Sequence, residues 1–206
     1  MSDLQGTQLL HAVAVRIIEK YLQLNGRVDV RSNDESALAA RADKVDITYM
    51  TPSGRHGIKV KSDPYIGSDP GKSADRSRSF YRPDGNAYAL ETVGSNRQPG
   101  WLFASTAEEL YYYYLAIDQT EDEVAALFRE PDAIFFPTLR VAKDDLHILP
   151  LVELRAWFEP RQESYPTRPV VRDGAAAWYR LVPREDVASG VPGMQAIGSS
   201  FGAVAR

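Results

Sequence analysis

Hydrophobic residues recur every three or four positions near the start of the chain, which is the spacing of a helix with one buried face. This pattern predicts a first helix over residues 8–24, and the pair Asn25-Gly26 provides a stop signal. Short apolar runs then predict strands over 28–31 and 45–49, followed by a turn and a returning strand over 57–61. The chain is therefore predicted to begin with a helix that packs on a sheet.

The later apolar segments predict more strands and shorter helices. The predicted strands lie at residues 86–93, 111–117, 133–141 with a proline interruption, and 177–182. The predicted helices lie at residues 106–109, 118–128, 151–158 and 184–188. The second of these has Thr120 and Glu123 at the spacing of a capping box. Between the strands, residues 62–85 are rich in Gly, Pro, Ser and Asp and predict a long loop, either mobile or ordered by a ligand.

Composition narrows the class of protein. With 206 residues, 44% of them hydrophobic, we expect one domain over residues 1–188 and a flexible tail over 189–206. No apolar run reaches the roughly 20 residues of a membrane-spanning helix, and the N-terminus lacks a signal-peptide layout. We therefore expect a cytoplasmic protein with no membrane partner. The absence of cysteine excludes disulfides, thiol catalysis and zinc–thiolate sites.

Charge is distributed unevenly along the chain. The net charge of -4 argues against a surface that is basic all over. Between residues 55 and 82, however, seven basic residues stand against three acids, a local excess of four positive charges. Such an excess favours contact with a phosphate backbone, and the alternative is an ordinary solvated loop.

Asp46 lies inside a predicted strand, where aspartate is disfavoured and costly to bury without a partner. Alternation along the returning strand places Lys59 and Lys61 on one face. Two interpretations follow from this hairpin. Asp46 and the lysines either form a functional site, or Asp46 is neutralised by one of the lysines in a cross-strand ion pair.

The order of these segments resembles the PD-(D/E)XK nuclease superfamily, and especially its small phage and bacterial members. The segment 59–63 resembles their acid-x-Lys-x-Asp motif, and 89–93 resembles a later strand that carries a glutamate. The segments 99–101 and 105–107 resemble their Gly-aromatic and Ser/Thr-x-Ala elements, and 178–186 resembles a closing strand, turn and helix. The resemblance covers about residues 8–188. It implies a restriction-endonuclease-like α/β fold, in which a mixed β-sheet is flanked by helices.

The resemblance also implies roles for particular residues. Asp46 matches the metal-binding aspartate and Lys61 the catalytic lysine, whereas Lys59 stands where a second acid is expected. Glu91 or Asp63 would then supply the missing metal ligand, and Glu19 on the first helix matches a further acid of some members. The tyrosines at 111–114 are predicted to be structural, two on each side of their strand.

On this basis the chain is predicted to be a metal-dependent DNA endonuclease that uses Mg²⁺ or Mn²⁺. The alternative is a nuclease-fold protein without catalysis that acts as a nucleic-acid-binding or protein-interaction module. Replacing an acid by Lys59 fits phosphate binding without hydrolysis. A homodimer is an assembly that the resemblance allows.

Overall fold

A computed structural model of the protein describes residues 7–33, 44–63, 87–95, 97–172 and 175–205. The strands are β1 (Val28–Ser32), β2 (Ile47–Thr51), β3 (Gly54–Asp63), β4 (Ala87–Val93), β5 (Glu109–Ile117), β6 (Val141–Pro150), β7 (Thr167–Arg172), β8 (Ala175–Pro183) and β9 (Gln195–Gly198). The α-helices are α1 (Thr7–Leu24), α2 (Trp101–Ala104), α3 (Glu121–Phe128), α4 (Asp132–Thr138), α5 (Leu151–Phe158), α6 (Arg184–Gly190) and α7 (Phe201–Val204), and a 3₁₀ helix spans Glu159–Ser164. The loop predicted over 62–85 lies almost entirely outside the described residues.

The strands form two sheets. The large sheet is mixed, with the order β1-β2-β3-β5-β6-β9. Its strands β3 and β5 pair in parallel, and the other four neighbouring pairs are antiparallel. The small sheet is antiparallel, with the order β4-β8-β7. Helices flank the strands, so the predicted α/β class with a mixed sheet is confirmed. None of the described helices combines the length and the apolar character that crossing a membrane requires.

The tyrosine-rich strand β5 separates two hydrophobic cores. Tyr111 and Tyr113 belong to the core under α1, whereas Tyr112 and Tyr114 belong to the core on the opposite face, under the small sheet. All four side chains are buried because both faces of this strand are covered. The expected placement of two tyrosines on each side is therefore present, with no tyrosine of the run facing solvent.

Two of these tyrosines attach the small sheet to the large one. The backbone N–H of Ala89 donates to Tyr112 Oη at 2.9 Å, and Tyr114 Oη donates to the carbonyl of Ala87 at 2.8 Å. Both partners belong to β4, which is an edge strand of the small sheet. The hydroxyls thus satisfy backbone groups that an edge strand would otherwise leave unpaired.

Local signals correctly predicted several ends of helices. Gly26 has φ 75° after α1, where Asn25 Nδ2 donates to the carbonyl of Tyr21. At the start of α3, Thr120 and Glu123 form the predicted capping box in both directions. These short-range contacts need only neighbouring residues, which explains why the sequence predicts them.

The strand predicted over 133–141 is wrong in its first part. Residues 132–138 form α4, with Phe135 and Phe136 buried and Pro137 near its C-terminal end. Pro131 precedes the helix as its N-cap residue. A short apolar run fits the period of a helix as well as that of a strand, so the run alone does not distinguish them. The helical turn predicted over 106–109 is also absent, because Glu109 already begins β5.

Residues beyond 189, predicted to be a flexible tail, include β9 and α7. The strand pairs with β6, and Asp144 accepts hydrogen bonds from the backbone N–H groups of Ser200 and Phe201 at 2.7 and 2.9 Å. Ser199 Oγ also donates to Asp144 at 2.7 Å. This carboxylate therefore fixes the segment that forms the last strand of the large sheet.

Candidate functional site

Asp46 lies immediately before β2 and opposite Lys59, where β3 runs on beyond the start of its neighbour. Its backbone N–H donates to the carbonyl of Ile58 at 2.9 Å, and its Oδ2 accepts from the backbone N–H of Val60 at 2.6 Å. The carboxylate thus satisfies a strand N–H that β2 does not reach. The side chain is only 1% exposed.

Two basic side chains complete the surroundings of Asp46. Lys59 Nζ lies 3.1 Å from Oδ1 and 2.9 Å from Oδ2, and His11 Nε2 on α1 lies 3.4 Å from Oδ1. Burial alone would raise the pKa of Asp46, but the charge of Lys59 and the contact with His11 outweigh it and hold the pKa below its usual 3.8. Asp46 is therefore an ionised carboxylate whose two oxygens are both bonded to protein donors.

This geometry contains the cross-strand ion pair that the sequence allowed as an alternative. Sequence reasoning considered Lys59 and Lys61 as partners and missed His11. The available signal was weak: His11 borders the apolar face of α1, beside Leu10 and before Val13, and a histidine there is most often an ordinary half-buried side chain.

Lys61 and Glu91 lie on two sides of one aromatic residue. Lys61 Nζ is 5.7 Å from the centre of the Tyr179 ring, a cation–π distance, and Tyr179 Oη donates to Glu91 Oε2 at 2.6 Å. Glu91 Oε1 also accepts from the backbone N–H of Trp101 at 3.3 Å. The strand glutamate therefore occupies a site where the two sheets approach each other, held by a tyrosine and a main-chain donor.

The Gly-aromatic element at 99–101 has a steric role at this site. A Cβ on Gly100 would overlap the carbonyl group of Glu91, so only glycine permits this approach. The approach brings the N–H of Trp101 to Glu91. The sequence suggested the element by resemblance, and the structure supplies a physical reason for its glycine.

Asp63 and Glu19, the remaining predicted acids, lie elsewhere. Asp63 is buried at the end of β3, where Tyr112 Oη donates to its Oδ2 at 3.0 Å. Burial and the Asp63 charge raise the pKa of Tyr112 well above 10.0, so the phenol remains a donor. Glu19 is eight residues beyond His11 on α1, about 12 Å further along the helix axis.

A metal site with several protein ligands needs their side chains to converge on one point. Within those ranges, no group of three or more His, Cys, Asp or Glu side chains is placed to hold a metal ion. At Asp46 the nearest donors are an ammonium, an amide and an imidazole. Mg²⁺ and Mn²⁺ prefer carboxylate, carbonyl and water oxygens, so this donor set does not fit them.

A second polar cluster, which sequence reasoning missed, joins β4, β6 and α6. Arg184 Nη2 lies 2.6 Å from Asp145 Oδ2 and 3.1 Å from His147 Nε2, and the other imidazole nitrogen contacts Tyr88 Oη. Burial and the Arg184 charge lower the pKa of His147 below its usual 6.5. A neutral imidazole that accepts from Arg184 donates to Tyr88 through Nδ1, so this cluster connects the two sheets.

Comparison with known proteins adds no relative: no family model, no curated protein and no solved structure matches the chain.

Proposed function

We propose that this protein binds nucleic acid through a nuclease-like arrangement of strands and does not use Asp46 as a metal ligand. The observation that carries the proposal is the buried ion pair between Asp46 and Lys59. Lys59 occupies the position where the resemblance expects an acid, and it neutralises Asp46, which the resemblance matches to the metal-binding aspartate. Both oxygens of Asp46 are bonded to Lys59, His11 or the N–H of Val60, which supports binding without metal-dependent hydrolysis.

Lys61 is the residue that we assign to phosphate contact. It lies two residues beyond Lys59 on β3, half-buried, where the large sheet meets Tyr179 of the small sheet. Its strand begins the stretch of chain with four excess positive charges. An ammonium acts as a point charge toward a phosphodiester, which supplies affinity without sequence readout.

Fluorescence anisotropy with labelled single-stranded and duplex DNA, in EDTA, tests the proposal. We expect the logarithm of the affinity to fall linearly with the logarithm of the salt concentration. Lys61→Gln should reduce the slope of this relation. Lys143→Gln removes the same charge from an exposed residue of β6 and serves as the control. Absence of binding to both DNA forms at low salt would contradict the proposal.

A metal-dependent DNA endonuclease is the second candidate, and the proximity of Lys61 and Glu91 to Tyr179 favours it. In that case purified protein cuts DNA when Mg²⁺ or Mn²⁺ is added, and both Lys61→Gln and Glu91→Gln abolish cutting. Calorimetric titration with Mg²⁺ or Mn²⁺ separates the candidates. Metal binding that disappears in Glu91→Gln supports the enzyme, and DNA binding in EDTA without cutting supports the first proposal.

A further inference from the structure

We infer that Arg168 on the small sheet shares a phosphate-binding surface with Lys61 on the large sheet, so that one nucleic-acid backbone contacts both sheets. The inference rests on the proposed function and adds a residue that neither the sequence motifs nor the resemblance indicates. Arg168 lies on β7, more than 100 residues along the chain from the hairpin that carries Asp46. The juxtaposition arises only from the pairing of the strands.

Strand register places Arg168 beside the Lys61 contact. Tyr179 on β8 pairs directly with Glu91 on one side and with Arg168 on the other. Directly paired residues in an antiparallel sheet point to the same face, so the three side chains form one row. Lys61 approaches this row from the large sheet, with its Nζ 5.7 Å from the Tyr179 ring centre.

The charges along this row suit an anion. Of the described strand residues that alternation places on this face of the small sheet, Glu91 is the one acid. Its oxygens accept hydrogen bonds from Tyr179 Oη and the N–H of Trp101. Glu91 is therefore held by internal donors, and Asp63, on the same face of β3 as Lys61, accepts a hydrogen bond from Tyr112 Oη. Arg168 is the exposed cation at the other end of the row.

Arg180 on the opposite face shows what a structural arginine of this sheet looks like. Arg180 Nη1 donates to the carbonyl of Tyr165 at 2.8 Å, and Nη2 donates to Glu163 Oε2 at 2.8 Å. It is bound to a main-chain acceptor and to an acid. Arg168 instead has the aromatic Tyr179 as its direct cross-strand neighbour. A guanidinium in such a position can bind a phosphodiester with two parallel hydrogen bonds.

The salt dependence of DNA binding tests this inference with the full chain. Arg168→Gln should weaken binding and reduce the slope of log affinity against log salt by about 0.9 for duplex or about 0.7 for single-stranded DNA, the loss of one phosphate contact. The matched control is Arg161→Gln, which removes the same charge from an exposed arginine on the 3₁₀ helix and should leave the slope unchanged. Equal urea midpoints would verify that both variants fold.

Two outcomes separate this inference from the proposed function. If the wild-type chain binds neither form of DNA, the proposed function fails and the inference fails with it. If the wild type binds and Lys61→Gln reduces the slope while Arg168→Gln does not, only the inference is overturned. A double Lys61→Gln and Arg168→Gln variant whose slope falls by the sum of the two single changes supports simultaneous contact of both residues with one backbone.

Discussion

Lys59 and Lys61 stand two residues apart on the same face of β3, yet they have different surroundings. Lys59, with a side chain 14% exposed, contacts a buried carboxylate on an inner strand of the large sheet. Lys61 lies against an aromatic ring of the other sheet. The difference arises where β2 begins, because Asp46 fills the space opposite Lys59 and the small sheet approaches beyond it.

This comparison shows that residue type and alternation do not decide the role of a strand lysine. The partner across the strand decides it. A buried ion pair contributes little net stability because desolvation offsets the attraction, but losing one partner leaves an uncompensated charge. Lys59 is therefore expected to matter for folding and Lys61 for binding.

The largest expected effect is from Lys59→Met, which leaves the buried carboxylate of Asp46 without its lysine partner. We expect the free energy of unfolding to fall by about 3–5 kcal/mol, the range for breaking a buried pair. Urea unfolding of the variant measures the change. Lys143→Met on the exposed part of β6 is the control and should stay within about 0.5 kcal/mol of wild type.

A double variant sharpens this prediction. Asp46→Asn together with Lys59→Met removes both charges, so it should regain part of the stability that the single change loses. If the double variant is no more stable than Lys59→Met, the pair is not coupled as the geometry implies. The distance of 2.9 Å between Lys59 Nζ and Asp46 Oδ2 would then have no energetic counterpart.

A smaller effect is expected from Tyr112→Phe, which weakens the connection between the sheets. The change removes the acceptor for the N–H of Ala89 and the donor to Asp63. Leaving the N–H of Ala89 without an acceptor costs about 1–3 kcal/mol. Urea unfolding measures it, and a loss below about 0.5 kcal/mol would show that water or other groups replace the hydroxyl.

The sequence predicted the parts of the fold that depend on neighbouring residues. The α1 helix with its Gly26 stop, the capping box of α3 and the hairpin of β2 and β3 all follow from short-range patterns. The short apolar run in α4 fits either period, and β9 needs β6 and Asp144 as partners. The spacing of residues along the chain does not show which distant segments pair.

The candidate site likewise combines residues that the sequence predicts with residues that only the fold brings together. Asp46 and the lysines were recognisable from their positions in a predicted hairpin, including the ion pair as an alternative. His11 contacts Asp46 only because α1 packs across the sheet, and Arg168 adjoins Tyr179 only through the register of β7 and β8. No spacing in the sequence connects residues so far apart along the chain.

The polar cluster of His147 and the ion pair of Asp46 should lose stability in different ranges of pH. His147, between the sheets, has a pKa lowered below 6.5 by burial and Arg184, so the unfolded chain takes up the proton first and stability falls as pH drops below about 6.5. Asp46 has a pKa lowered below 3.8, so its contribution is lost only as pH falls through 3.8 toward the folded pKa.

Urea unfolding at a series of pH values measures both ranges. In His147→Gln, the free energy of unfolding should depend less on pH in the upper range and be unchanged in its dependence in the lower range. The double Asp46→Asn and Lys59→Met variant should lose pH dependence only in the lower range. A difference of one unit between the folded and the unfolded pKa of a group corresponds to about 1.4 kcal/mol of stability. A His147→Gln variant with an unchanged upper range would show that other groups cause the acid sensitivity there.

The smallest effect on stability is expected from Lys61→Gln, the counterpart of the first prediction. Its contact with Tyr179 is of the cation–π type, worth about 0.5–1 kcal/mol at a partly exposed site. Loss of this contact should lower the free energy of unfolding by about that amount, while the salt slope of DNA binding falls by about 0.9 for duplex DNA. If Lys61→Gln instead destabilises the fold as much as Lys59→Met, the two lysines are both structural and the comparison between them fails.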